Sequence, residues 1–148
     1  MGQDPGYVRR MTPSPNPIHV LVVDDHPLIR TGLQNLFNSF GDFKVIGEAA
    51  DGEQGCELAQ RLQPHVVLMD IQMPKMDGID ATRWIKTILP HVIVIGLSVN
   101  PSLGFANKMK AAGASAYLSK ETAPEDMYQI IRSAMTPLRW EHNEEVFG

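Results

Sequence analysis

Hydrophobic positions along this chain follow two rhythms that alternate from one end to the other. Short continuous apolar runs at residues 18–23, 66–69 and 92–97 are rich in valine and isoleucine and stop abruptly at polar residues. That pattern predicts strands buried on both faces. Between them, apolar residues recur at helical spacing. Ile29, Leu33, Leu36, Phe37 and Phe40 form one stripe, opened by Pro27 where the first helical turn tolerates proline. Residues 43–50 read as a second strand with Gly47 inside it, and Asp51-Gly52 turns the chain into a helix marked by Gly55, Leu58, Ala59 and Leu62. The third strand, preceded by Pro64, leads through Met73-Pro74 and Asp77-Gly78 into a helix that carries Ala81, Trp84, Ile85 and Ile88 inward and ends by Pro90. Pro101-Ser102 opens a fourth helix, which stops at Gly113, and residues 115–119 form a short fifth strand. Thr122 as N-cap with Glu125 three residues on, and Pro124 in the first turn, predicts a fifth helix with Met127, Ile130, Ile131 and Ala134 inward.

Five strands alternating with five helices over short connections imply an α/β fold: a parallel sheet covered on both faces, with right-handed crossovers. Strand order is not readable from the pattern. Residues 1–17, with Pro5, Pro13, Pro15 and Pro17, read as a leader outside the fold, residues 18–136 as the domain, and 137–148 as a short polar tail containing Trp140 and Phe147. Arg9-Arg10 in the leader is too small a basic group to identify a partner.

Composition narrows the function. At 148 residues, 43% hydrophobic and 20% charged, the chain matches one ordinary soluble domain. A formal net charge of −4 offers no electrostatic case for nucleic-acid binding by the chain itself. The single cysteine, Cys56, excludes an intramolecular disulfide framework and any multi-cysteine metal site, and its place in a helical pattern fits a small buried side chain. No apolar run has the length of a membrane span and no signal-peptide core is present, so the expected location is cytoplasmic, with no membrane contact.

The chemistry lies in where the strands end. The first stops at Asp24-Asp25, the third at Asp70, the fourth at Ser98 and the fifth at Lys120. In a parallel sheet these ends share one edge, where open α/β sheets form their ligand crevices. Any one of these residues has a plain explanation as a cap, a turn or a surface charge. Four strands placing such groups at the same edge is not explained that way. Three adjacent carboxylates repel unless a cation neutralises them, and an all-oxygen donor set selects a hard cation such as Mg²⁺. Ser98 and Lys120 are suited to bind phosphoryl oxygens, and a carboxylate can serve as nucleophile, so the parts for phosphoryl transfer are present. No Walker-type glycine-rich loop accompanies them.

Residues 18 to about 134 resemble the receiver domain of two-component response regulators. The resemblance rests on Val23-Asp24-Asp25-His26-Pro27, Met69-Asp70-Ile71-Gln72-Met73-Pro74-Lys75-Met76-Asp77-Gly78, Leu97-Ser98 and Tyr117-Leu118-Ser119-Lys120. Asp-Asp-His-Pro followed by Arg30-Thr31-Gly32-Leu33, together with Ala112-Gly113-Ala114 before Tyr117, is similar to the NarL/LuxR-type regulators. The resemblance implies a flavodoxin-like, doubly wound (βα)5 fold with strand order 2-1-3-4-5. It implies that Asp70 is the phospho-acceptor, and that Asp25 ligates Mg²⁺ directly with Asp24 in support. Asp70 and the backbone carbonyl of Gln72 complete the protein ligands. By the same resemblance Lys120 contacts the phosphoryl group, and Ser98 and Tyr117 form a switch pair that reshapes the surface of the fourth helix, fifth strand and fifth helix. Gln72 and Asn100 occupy the variable positions that tune phosphoryl lifetime.

The implied donor is a sensor histidine kinase or phosphotransfer protein. The implied partner surfaces for a homodimer are the switched face or the faces of the first and fifth helices. Such a receiver catalyses its own phosphorylation and dephosphorylation without being classed as an enzyme. Glu121 follows Lys120 where many receivers carry proline, a departure from the family pattern. NarL/LuxR-type regulators continue into a helix-turn-helix domain that controls transcription, and the residues after the fifth helix are too few for one. The expectation is a receiver taken from a longer regulator, with a stand-alone receiver as the alternative. Two further readings compete. A haloacid-dehalogenase-type phosphatase also uses an aspartate nucleophile, but it needs a second Asp where Gln72 stands. A binding module using the fold without phosphorylation would leave the intact acceptor site idle.

Overall fold

The computed structural model describes residues 14–136. Five parallel strands, β1 (Ile18–Val23), β2 (Phe43–Ala49), β3 (Val66–Asp70), β4 (Ile93–Ser98) and β5 (Ala116–Ser119), lie in the order β2-β1-β3-β4-β5. The helices are α1 (Pro27–Ser39), α2 (Gly52–Leu62), α3 (Gly78–Ile88), α4 (Leu103–Ala112) and α5 (Pro124–Ala134). The expected class and strand order are both observed.

Burial on both sides explains the unbroken apolar runs. Leu21, Val23, Val67, Met69 and Val94 face one layer, closed by Cys56 and Ala59 of α2, Ile79, Ala81 and Ile85 of α3, and Met109 of α4. Their alternate neighbours Val20, Val22, Val66, Leu68 and Ile95 face the other, closed by Leu33 and Phe37 of α1 and Met127 and Ile131 of α5. Successive strand residues point to opposite faces, so only an apolar residue at every position fills both layers. At the β2 edge the register slips between Val20 and Leu21, which leaves Ile46 as the extra residue.

Three expectations fail locally. Ile88 does not point inward: it is 46% exposed, and Leu89 is buried in its place. Leu89 leaves the helical region at φ −128°, ψ 70°, so the turning backbone, not helical spacing, decides which residue reaches the core. Thr122 does not cap α5. Pro124 holds the preceding residue extended, which makes Ala123 the cap residue without any side-chain capping bond. The Thr122 N–H instead donates to Ser119 O at 3.0 Å. On α5 the predicted stripe omits Tyr128, which is fully buried and donates its hydroxyl to Asp42 Oδ2 at 2.6 Å. Phe40 and Phe43 pack edge-on around that ring, with centroids 5.0 and 5.8 Å away. Trp140, Phe147, Arg9 and Arg10 lie outside the described residues.

Candidate functional site

The carboxyl ends of β1, β3, β4 and β5 meet at one edge, and each side chain is set there by its own strand and turn. Asp24 follows β1 directly and is 1% exposed. Its N–H donates to Ala49 O at 3.0 Å, and its carbonyl accepts from Arg30 Nη1 at 2.8 Å. Arg30 is in turn held by Glu48 at 2.7 Å, and this contact keeps the Glu48 carboxyl below its ordinary value. Asp70 is the last residue of β3 and 5% exposed.

The loop after Asp70 folds back tightly. The Gly78 N–H donates to Ile71 O at 2.8 Å, and a Cβ at Gly78 would lie 2.0 Å from Asp70 O. Only glycine permits this approach. Asp77 then caps α3 by accepting from the Asp80 N–H at 2.9 Å. Asp77-Gly78, which the sequence marks as a helix start, therefore also positions the central carboxylate. Gly113 acts just as locally. At φ +112° it ends α4 in the left-handed region and turns the chain toward β5.

Lys120 reaches the carboxylates from beyond β5. Its Nζ lies 2.6 Å from Asp24 Oδ2 and 3.2 Å from Asp70 Oδ1, with the side chain only 7% exposed. The Lys120 N–H is bonded to Ser98 O at 2.8 Å, which ties the ends of β4 and β5 together. Ser98, the last residue of β4, is 6% exposed. Tyr117 is also buried, and its hydroxyl accepts from the Ser102 N–H at 3.4 Å, linking β5 to the start of α4. Gln72 and Asn100 are exposed beside the cluster's strand ends, as positions that flank rather than form it.

Asp24, Asp25 and Asp70 bring three carboxylates to one point and Lys120 brings one ammonium, which leaves two net negative charges in a largely buried space. Burial, and after it the Asp24 charge, push the Asp70 carboxyl up to about 6, with Lys120 opposing the shift. Asp25 Oδ1 and Asp70 Oδ2 are buried and accept no hydrogen bond. Buried oxygens of this kind require a partner. One donor atom from each of Asp24, Asp25, His26 and Asp70 lies within 4.8 Å of the others, a fit for a divalent cation.

His26 is the member of the cluster that the sequence reading does not single out as chemistry. Its Nδ1 sits 2.9 Å from Asp24 Oδ1, 3.0 Å from Asp25 Oδ1 and 3.9 Å from Asp70 Oδ2. The one signal along the chain is its adjacency to the two carboxylates. The nearest histidine in sequence, His19, lies against His65 instead, with ring centroids 5.3 Å apart.

Cys56 stands apart from this edge. It is buried, and burial pushes its thiol up to about 11, which fits the expected packing role.

The chain is similar in sequence and fold to known proteins. Nitrate/nitrite response regulator protein NarL from Escherichia coli (strain K12) is 37% identical over 80% of this chain, which spans 55% of that regulator's length. The structure of a two-component response regulator of the LuxR family from Aurantimonas sp. SI85-9A1 superposes with a TM-score of 0.78 at 30% identity, covering 82% of this chain and 87% of that one. A CheX-CheY-BeF3-Mg²⁺ complex from Borrelia burgdorferi contributes a chain similar at a TM-score of 0.77 and 28% identity, covering 82% of this chain and 91% of that one. Residues 20–132 match the response regulator receiver domain family, and with a buried acidic cluster at the carboxyl edge of a 2-1-3-4-5 sheet the chain belongs to that family, as a NarL/LuxR-type receiver of two-component signalling.

Proposed function

We propose that Asp70 accepts a phosphoryl group from a sensor histidine kinase or phosphotransfer protein, and that the modification switches the face made by α4, β5 and α5. The observation that carries this reading is the Asp70 carboxylate itself: buried at the end of the central strand, one oxygen without a hydrogen-bond donor, the other 3.2 Å from Lys120 Nζ.

An Asp70 oxygen forms the new bond to phosphorus as the donor's P–N bond breaks, and the leaving histidine takes a proton. Lys120 pairs with the incoming phosphoryl oxygens, and Ser98 donates its hydroxyl to another. Asp25 and Asp70, supported by Asp24 and the Gln72 carbonyl, would hold Mg²⁺, which when bound supplies charge screening for the anionic group. Water later returns Asp70 to the free carboxylate, with Gln72 and Asn100 flanking its approach. This is self-catalysed turnover of one acyl phosphate, not enzymatic action on a separate substrate.

The same charge change operates the switch. Phosphorylation adds acceptor oxygens that draw Ser98 and Lys120 toward Asp70, and the space that Ser98 vacates admits Tyr117. A near-complete reversal of the two-state equilibrium needs about 5.5 kcal/mol of differential stabilisation. The altered α4–β5–α5 face, or that of α1 and α5, would pair two copies. Transcription control would come through an output domain of the kind that NarL/LuxR-type regulators carry, in the cytoplasm. Among the described residues, no helix is long and apolar enough to cross a membrane.

Incubation with a small acyl-phosphate donor and Mg²⁺, read by intact mass, should add one phosphoryl group to wild type. Neither Asp70→Asn nor wild type with excess chelator should gain it. Stoichiometric labelling of Asp70→Ala would sink the assignment.

A further inference from the structure

Three histidines mark the amino edge of the sheet, at the end away from Asp70. His19 lies in β1, and His65 and His91 stand just ahead of β3 and β4, each within the sequence Pro-His-Val. His65 and His91 line one cavity of about 390 Å³ together with Lys86, from the last turn of α3. Its remaining walls, Pro90, Ile93, Ala134 and Met135, are apolar. A hollow of this size, apolar with a few polar groups, suits a small ligand or one large side chain. No lining residue is acidic, although the chain as a whole carries a net charge of −4.

The polar groups of the cavity offer hydrogens rather than lone pairs. Lys86 Nζ donates to Pro90 O at 2.6 Å and to Val92 O at 2.7 Å, which anchors the ammonium where α3 ends. An ammonium has three hydrogens, so these two bonds leave one over. Burial holds the Lys86 ammonium below its ordinary value, a cost that a nearby carboxylate would offset. His65 Nδ1 accepts from the His19 N–H at 2.8 Å, so the proton of the neutral ring sits on Nε2 and makes that atom a donor. An apolar hollow rimmed by donors fits an aromatic side chain with a carboxylate beside it.

The chain carries that combination within reach. Met135 is a wall of the cavity, and Trp140 follows Thr136 by four residues, a span of up to about 13 Å. Pro137 disfavours helical geometry at Thr136, which favours a turn off the α5 axis at the cavity's rim. Glu141 adjoins Trp140, and over residues 137–148 three glutamates outnumber one arginine. We propose that residues 138–141 strap back over the amino edge, with the Trp140 ring in the apolar part of the cavity and the Glu141 carboxylate paired with His91 and Lys86. The strap fixes how the chain leaves the domain, at the end of the sheet remote from Asp70, and does not depend on the phosphoryl reading.

The test uses the whole chain with Trp84→Phe, which leaves Trp140 as the sole tryptophan. Acrylamide quenching of Trp140 is expected to be at least threefold weaker than in the same protein unfolded in urea. His91 is exposed, so His91→Glu and Glu141→Lys should leave the far-UV circular dichroism unchanged. Each should raise the quenching at least twofold, and the two together, which exchange the charges, should recover at least half of the lost protection. Quenching as strong as in the unfolded chain would overturn the strap and leave the cavity to a separate acidic partner. Protection that neither variant disturbs, or that the exchange fails to recover, would overturn the pairing of Glu141 with this cavity. Protection lost on dilution, with a dimer in sedimentation, would overturn the strap within one chain and assign the cavity to the same segment of a second copy.

Discussion

Burial and the neighbouring Asp24 charge push the Asp70 carboxyl up to about 6, well above the unfolded value near 3.9. The folded state therefore holds a proton that the unfolded chain has already released, and the sign of the pH dependence follows. In metal-free protein the Asp70 contribution is most favourable below about pH 4, weakens as pH rises, and is least favourable above about pH 6. Asp70→Asn removes the charge and the repulsion from Asp24 while keeping the shape. At pH 7 without metal the variant should be more stable than wild type, by on the order of 1–2 kcal/mol after solvent screening. The gain should shrink toward pH 4. Denaturant unfolding at both pH values checks this, and a destabilised variant at pH 7 would contradict the repulsion. Lys120 belongs to the same balance: it offsets part of the repulsion but cannot cancel three carboxylates, the physical basis for the cation that the proposed function calls on.

At the scale of elements, the β3–α3 connection is the most constrained segment of the site. Gly52 and Gly78 both meet backbone carbonyls, those of Met76 and Asp70, where a Cβ would come within 2.1 and 2.0 Å. A backbone carbonyl cannot swing aside as a side chain can, so Gly78→Ala must displace either Asp70 or the start of α3. The expected outcome is a loss of stability of roughly 2–4 kcal/mol, with weakened phosphorylation in the folded fraction. Thermal unfolding and phosphodonor labelling measure the two effects, and wild-type behaviour in both would show that the loop can relax. Helix boundaries are legible where a cap residue is present, as at Asp51, Asp77 and Ser102, each of which accepts the expected bond from its helix. They are not where Pro124 moves the cap to Ala123 and where the chain leaves helical geometry at Leu89. Periodicity describes a helix interior and carries no information about the turn that ends it.

Across the whole molecule, residues 24, 70, 98 and 120 are brought to one edge because parallel strands deliver their carboxyl ends there, with Asp70 ending the central strand, Asp24 just past β1 and Ser98 ending β4 on its two sides. A cation bound there favours the folded state, since the unfolded chain scatters its ligands. Mg²⁺ at 100 times its dissociation constant should add about 2.7 kcal/mol and raise the melting temperature of wild type by several degrees. Asp25→Asn should lose most of that shift. A metal-dependent shift that survives unchanged would place the cation elsewhere.

The amino-acid sequence by itself determined the alternation of strands and helices, the two buried faces of the sheet, and the strand-end positions of Asp24, Asp25, Asp70, Ser98 and Lys120. Those follow from spacing along the chain, and spacing is local. Strand order could be inferred only by resemblance, because parallel strands joined by helices do not announce their neighbours. Three features waited for the tertiary structure: the Tyr128–Asp42 bond, which joins residues distant in sequence; the close approach of Gly78 to Asp70; and the His26 ring over three carboxylates. Each depends on distances across elements, and such distances exist only once the sheet has brought those elements together.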